Sequence, residues 1–483
     1  MLRKRFSTQK LLSIITALSL SHTVGAETLA NIYELAVQSD PVLKAAEASY
    51  KAGREARNLA KSALLPQVNG SYSYNSIDED STDLSFVAAD PTRPFNFEDN
   101  IAIGDVDTNR DTDSNTLSLE LRQNIFNLPA WYSFKQGKKL SDVAASQFAY
   151  DQQELIVRVA SAYFDVLRAK DNLETAVAEE TAIQRQLEQT EQRFEVGLIA
   201  ITDVHESRAA HDLAVVTRLE AKGQLGIAYE ALSVITGQSH SNISLLDEKF
   251  PVEEPSPAKR AEWVDFALEN NYQLKAARLS ENAALQNSKS KRAEHLPKLS
   301  GSYTYTDSDT EGVNISDGGT NISDVDSARD GSTIGISLSI PIYSGGGVSA
   351  SRRQAAQEHI QARENHIATQ RNTIQNTRSL HLSVVTDVGK VKARKQSITS
   401  AESALEATQA GYEVGTRNIV DVLDSQRFLF RAVRDYSNAR YDYVINSLKL
   451  KQQAGTLTPQ EVYDLNKWLV AAPSARASTT PES

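Results

Sequence analysis

The sequence predicts an α+β membrane protein. Two structural repeats make up each chain, four amphipathic strands have to be pooled between copies into a β-barrel, and long α-helical coiled-coil segments continue from them. Three observations carry this reading. The first half of the chain recurs in the second. Four short segments alternate apolar and polar residues. Two proline-free stretches, 131–195 and 419–454, carry heptad spacing.

The chain has 483 residues, 13 prolines, no cysteine and a formal net charge of −11. Lacking cysteine, it has no disulfide framework, thiolate metal site, cysteine nucleophile or lipidated N-terminal cysteine. The acidic balance argues against a nucleic-acid partner, which would leave a basic footprint. Residues 1–26 read as a signal peptide. Arg3, Lys4 and Arg5 form the positive region, Leu11 to Leu20 the apolar stretch, and Val24-Gly25-Ala26 the cleavage site before Glu27. The apolar run is about half of the ~20 residues that a membrane-spanning helix needs. The mature chain is therefore expected to be exported from a Gram-negative cytoplasm.

Two segments concentrate the negative charge. Residues 75–116 hold eleven acidic side chains against Arg93 and Arg110, and residues 306–331 hold seven against Arg329. Around them runs the duplication. A shift of 231 sets Leu65-Pro66 on Leu296-Pro297, and Gly70-Ser71-Tyr72 on Gly301-Ser302-Tyr303. A shift of 218 sets Phe194-Glu195-Val196-Gly197 on Tyr412-Glu413-Val414-Gly415, and Asp203-Val204 on Asp421-Val422. The register changes within the acidic segments, which differ in length.

Repeat 1 is placed at 27–237, with strands at about 67–76 and 115–125, a long helix over 131–195 and a further helix over 201–237. Repeat 2 is placed at 263–454, with strands at about 298–306 and 332–343, a long helix over 347–413 and a further helix over 419–454. Val68, Gly70, Tyr72 and Tyr74 share one strand face; so do Leu117, Leu119 and Leu121, and Ile334, Ile336, Leu338 and Ile340. This suits a half-buried strand and a lipid-facing barrel strand equally. Pro66 and Pro297 end the helices before the first strand of each repeat. Gly345-Gly346-Gly347 absorbs a sharp turn into the second long helix.

Within the long helices, Leu155, Val159, Ala162, Val166 and Ala169 step by heptad intervals, as do Val422, Ser425, Leu429, Ala432 and Tyr436. A soluble helical bundle would show the same periodicity. Lengths discriminate better, because in each repeat two shorter helices stacked end to end match one long helix. The linker 238–262 and the segment 455–470 would lie at the joints, in an equatorial region. The tail 471–483 is expected to be disordered.

A bilayer tolerates strands only in a closed barrel, since an open edge leaves backbone groups without partners. Four strands cannot close, and known barrels start at about eight. If these strands span a membrane, copies must therefore share the barrel, which would have eight strands in a dimer and 12 in a trimer.

Long segments of this chain carry a family resemblance: QRFEVGLIAITDV at 192–204, HLPKLSGSYTY at 295–305, GISLSIPIYSGGG at 335–347 and AGYEVGTRNIVDVLDSQ at 410–426. Through them the chain resembles the TolC family of outer-membrane channel and efflux proteins, across nearly all of 27–470. The resemblance implies a homotrimer with a 12-stranded β-barrel in the lipid of the outer membrane and an α-helical tunnel crossing the periplasm. It implies an exit duct that works with a periplasmic adaptor (a membrane fusion protein) and an inner-membrane transporter, ABC or proton-driven, in type I protein secretion or multidrug efflux. The missing cysteine places it in the non-lipidated branch.

Asp421 and Asp424 share one helix face. The residues alone allow two readings. Asn418 with Asp421 suits a helix cap, whereas in an assembly the pair would form stacked carboxylate rings that attract cations. The resemblance maps the family's constricting aspartates onto these two positions. It also maps closed-state links onto Tyr412 and Arg417 with Thr202 and Asp203, and a further link onto Gln186, whose partner position holds Gln409 rather than an acid. Arg417 is a fork donor suited to a carboxylate and a hydroxyl.

The chain carries no HExxH, GxSxG or phosphate-loop motif, so neither an enzyme nor a cofactor is expected. The alternative from another class is a periplasmic coiled-coil adaptor or scaffold, which has no need of four lipid-patterned strands.

Overall fold

The computed structural model describes residues 26–90, 92–316 and 321–470. The expected leader, apart from Ala26, and the tail 471–483 lie outside the described residues. In chain order the elements are α1 (Leu29–Ser39), α2 (Pro41–Arg54), α3 (Ala56–Ser62), β1 (Gln67–Val87), β2 (Ala102–Phe126), α4 (Leu128–Glu195) and α5 (Ile201–Thr236). Then come β3 (Leu245–Leu246), α6 (Arg260–Asn270), α7 (Tyr272–Ala293), β4 (Lys298–Ser316), β5 (Asn321–Asp324) and β6 (Ser327–Ser339). The chain continues with α8 (Gly347–Glu413), α9 (Ile419–Gln453), α10 (Gln460–Asn466) and β7 (Leu469–Val470).

These elements form two compact units. The first takes the residues up to Lys44, Gln152–Val264 and those from Thr377. The second takes Ala45–Asp151 and Asp265–Asn376. Neither unit coincides with one sequence repeat, because each repeat contributes elements to both.

The second unit holds an antiparallel sheet of order β1-β2-β4-β6, with the short β5 also on β4. Its register lines up side chains of one kind. Val68, Leu121, Tyr303 and Ile334 form one cross-strand row, and Asn69, Glu120, Thr304 and Thr333 the next. One face is therefore apolar and the other polar. The apolar face is uncovered within the chain: Val68 is 69% exposed, Ile334 80% and Ile336 74%. Among the described residues, strands β1 and β6 each pair on one side only, so both edges of the sheet are open.

The strands depart from the expected spans. β1 and β4 reach Val87 and Ser316, and β2 begins at Ala102, all deep in the acidic segments read as loops. Acidic residues are poor strand formers, but here polar side chains across the β1–β2 ladder hold three of them. Asn109 donates to Asp80 at 2.6 Å, Thr82 to Asp107 at 2.7 Å and Tyr74 to Asp113 at 2.9 Å. At its other end β6 stops at Ser339, short of the expected 343. Its partner β4 begins opposite at Lys298, after Pro297, and Pro341 follows with no N–H to give. α4 starts at Leu128, three residues ahead of the expected 131. Pro129 sits in its first turn, where a missing N–H costs nothing, and the Asn127 side chain accepts from the Ala130 N–H at 3.0 Å.

Helices of this unit approach closely through small residues. A Cβ on Gly137 would lie 2.5 Å from the Ala56 carbonyl oxygen, and one on Gly53 would lie 2.6 Å from the Ala144 Cβ. Tyr50 stacks on Phe148 beside them at 5.2 Å between centroids.

In the first unit, α1 buries Leu29, Ile32 and Ala36 in a core with Tyr163, Phe164 and Leu167 of α4 and Tyr441, Val444 and Leu448 of α9. The buried Asp40 ends α1 and starts α2. Its carboxylate accepts from the Leu43 N–H at 2.9 Å and from the Arg158 guanidinium. Tyr163 donates to the Ser244 carbonyl and Tyr441 to the Asp171 carboxylate, each at 2.7 Å; burial raises the pKa of both hydroxyls. β3 pairs with β7, tying the linker to the C-terminal segment. Among the described residues no helix is long and apolar enough to cross a membrane.

Candidate functional site

The site lies in the first unit, where α4 turns into α5 and α8 into α9. The two turns use one design. Glu-Val-Gly ends each long helix, and Gly197 and Gly415 take φ of 76° and 77°, the left-handed conformation that glycine adopts without strain. Leu198 N–H then bonds to the Arg193 carbonyl and Thr416 N–H to the Gly411 carbonyl, both at 2.9 Å. An apolar cluster unites the two turns: Ile183 of α4, Ala210 and Ala214 of α5, and Ile419, Val422 and Leu423 of α9, with Leu405 and Tyr412 of α8 packed on it.

Asp421 stands in the first turn of α9. Asn418 accepts from the Asp421 N–H at 2.8 Å, and the Asp421 carboxylate accepts from the Asn418 N–H at 3.4 Å, which completes a capping box. The Arg417 guanidinium lies 3.8 Å from the same carboxylate. Asp424, one turn on, is 67% exposed at the side chain and has Arg427 at 3.6 Å. Capping and an outward-facing pair of acids thus coexist on one helix start. α5 has no such box, for Ala200 at its N-cap offers no side-chain acceptor.

The residues expected to link are brought to one end of the unit, but their contacts within the chain are different. Thr202 donates to its neighbour Asp203 at 3.3 Å. Arg417 turns to Asp421 and lies over Gly411, where a Cβ would come within 2.8 Å of the Arg417 Cγ. Tyr412 receives the Arg193 guanidinium on its ring at 4.9 Å, and its buried hydroxyl has no hydrogen-bond partner among the described residues. Gln186 is buried and Gln409 exposed. Among the described residues no hydrogen bond joins Tyr412 or Arg417 to Thr202 or Asp203, or Gln186 to Gln409.

Sequence reasoning missed two further pairs, related by the same shift of 218. Ser207 donates to Thr190 at 3.4 Å and Ser425 to Thr408 at 3.2 Å, so each helix pair carries one hydroxyl bridge near its turn. The 17-residue spacing in both repeats was the available signal. The repeats diverge one position further on. Arg208 pairs with Glu191 at 2.7 Å, while Gln426 and Gln409 stand at the equivalent positions. The second helix pair therefore lacks an ion pair that the first one has.

A sheet with an exposed apolar face, joined in one chain to long helices that meet in paired turns, defines the class of outer-membrane channels. The comparisons with known proteins agree. The family of the Outer membrane efflux protein matches residues 32–238 and 263–456. Outer membrane protein TolC of Vibrio cholerae is 38% identical over 457 residues, covering 94% of this chain and 96% of that protein. Alkaline protease secretion protein AprF of Pseudomonas aeruginosa is 30% identical over 427 residues, covering 88% and 84%. The crystal structure of the Campylobacter jejuni CmeC outer membrane channel superposes with a TM-score of 0.69 at 16% identity, covering 92% of this chain and 90% of that one, which is a likeness of fold. The chain belongs to the outer membrane efflux protein family. It is an outer-membrane exit duct for secretion or efflux that extends into the periplasm.

Proposed function

We propose that three copies of this chain pool their strands into one 12-stranded barrel and continue it as a helical tunnel, closed at its periplasmic end by the α8 and α9 turns. The open sheet carries this reading. Its apolar face is uncovered and both edges lack partners, and neighbouring copies remedy both in lipid. In this assembly Asp421 and Asp424 form two rings of carboxylates at the aperture, where they attract cations and set the local potential. The duct serves a tripartite system with a periplasmic adaptor and an inner-membrane transporter that supplies the energy. The efflux protein family match and the protease secretion protein AprF support both efflux and protein secretion as settings.

The gate reading follows from donors left over within the chain. The Tyr412 hydroxyl is unpartnered, and Arg417 is 62% exposed with one long contact to Asp421. Thr202 and Asp203 are acceptors at the same end of the unit, and in the proposed assembly they take these bonds. Charge-assisted bonds of about 1.5–3 kcal/mol each, before solvent screening, favour the closed aperture without welding it. The adaptor and transporter loosen them, and the inner helices move outward like an iris. Arg417→Ala combined with Tyr412→Phe is expected to raise single-channel conductance in planar bilayers several-fold. Unchanged conductance would remove both residues from the gate.

A further inference from the structure

α9 carries Arg427, Arg431 and Arg434 at helical spacing, one to three turns beyond Asp424, so they share a face. This face closes one side of a groove of about 710 Å³ in the first unit, whose other walls are α4 and α5. The volume suits a small organic molecule. Apolar walls come from Phe430, Leu213 and Ile227; Leu213 is 55% exposed and Ile227 63%. The charged walls are the three arginines, Glu179 and Glu220.

What sets these arginines apart is the lack of a hydrogen-bonded acid among the described residues. On the neighbouring helix pair Arg208 and Arg218 are each bonded to a glutamate of α4. No guanidinium of the α9 trio makes a hydrogen bond among the described residues. Arg427 and Arg434 have only loose approaches to Asp424 at 3.6 Å and Asp435 at 3.7 Å, and Arg431 has no carboxylate within ion-pair distance. Glu179 feels all three. Burial raises its pKa and the arginines pull it back. In so acidic a chain, three fork donors without a hydrogen-bonded acid stand beside an apolar wall, and a carboxylate or sulfonate matches each fork.

We propose that this groove binds amphipathic organic anions, with a carboxylate or sulfonate held by Arg427, Arg431 and Arg434 and a flat apolar body against Phe430, Leu213 and Ile227. It is then a cargo contact within the duct, a role that rests on the channel reading above. Cations of the same shape are repelled, and Glu179 tempers the affinity so that an anion can leave.

The test uses the full assembly in lipid nanodiscs and calorimetric titration with naphthalene-2-sulfonate, with a naphthyl trimethylammonium ion as the cationic counterpart. Saturable binding of the sulfonate is expected, at least tenfold tighter than that of the cation. Arg427→Gln/Arg431→Gln/Arg434→Gln should weaken it at least tenfold, Arg431→Lys less than the loss of all three, and Glu179→Gln should tighten it several-fold. An absent or non-saturable signal, as when a neighbouring copy fills the groove, would overturn the proposal. So would equal binding of the cation or an unchanged affinity in the triple variant. Bilayer conductance of the same preparation separates the two readings. A conducting preparation without binding overturns the groove and leaves the duct; a binding preparation without conductance supports the groove and overturns the duct.

Discussion

Replacing Asp421 and Asp424 together by alanine is expected to weaken block of the pore by a trivalent lanthanide ion by about 100-fold or more, which corresponds to ~2.7 kcal/mol. In a threefold assembly the change removes six carboxylates from the aperture. A unit-charge pair at 4 Å is worth about 1 kcal/mol even in bulk water, so a trivalent ion facing several carboxylates loses at least this much. Asp421 has a second role, in the capping box, whose loss costs about 1 kcal/mol of helix stability. Asp421→Asn with Asp424→Asn separates the two, because asparagine keeps an acceptor for the cap and removes the charge. If the block depends on charge, both double variants lose it alike. Undiminished block in either would place the cation site elsewhere.

The second large effect concerns the core. Asp40→Ala is expected to destabilise the first unit by about 3–5 kcal/mol, because it leaves the Arg158 guanidinium without its carboxylate among buried neighbours. The Leu43 N–H loses its acceptor as well. Asp40→Ala with Arg158→Met should recover most of the loss, since removing both charges also removes the unpaired one. Denaturant unfolding of the purified protein measures both. If Asp40→Ala unfolds within about 0.5 kcal/mol of the parent, the junction of α1 and α2 does not depend on this pair.

The family and the class of channel were legible in the sequence because the duplicated turn peptides are long and chemically specific. Phe194-Glu195-Val196-Gly197 and Tyr412-Glu413-Val414-Gly415 each need a glycine with positive φ at one position, which is a local demand visible in one dimension. Strand length was not legible. Residues such as Asp80, Asp107 and Asp113 read as loop by propensity, and what keeps them in strands is a polar side chain on the facing strand, Asn109, Thr82 or Tyr74. The candidate residues gather at the two turns that the duplicated peptides mark, but their contacts were not legible. Arg417 has both Asp203 and Asp421 as candidate acids, and within the chain the capping geometry of Asn418 delivers Asp421. The arginine trio of α9 is spaced regularly in the sequence, but only the packing of α4 and α5 shows that it lines a groove.

One quantity bears directly on the barrel. Native mass spectrometry of the mature protein released from detergent counts the chains in each particle. Three chains per particle, with no monomer surviving at low concentration, is the predicted result, because one chain's sheet leaves β1 and β6 open. A stable single chain, or a particle of two, would contradict the shared 12-stranded barrel.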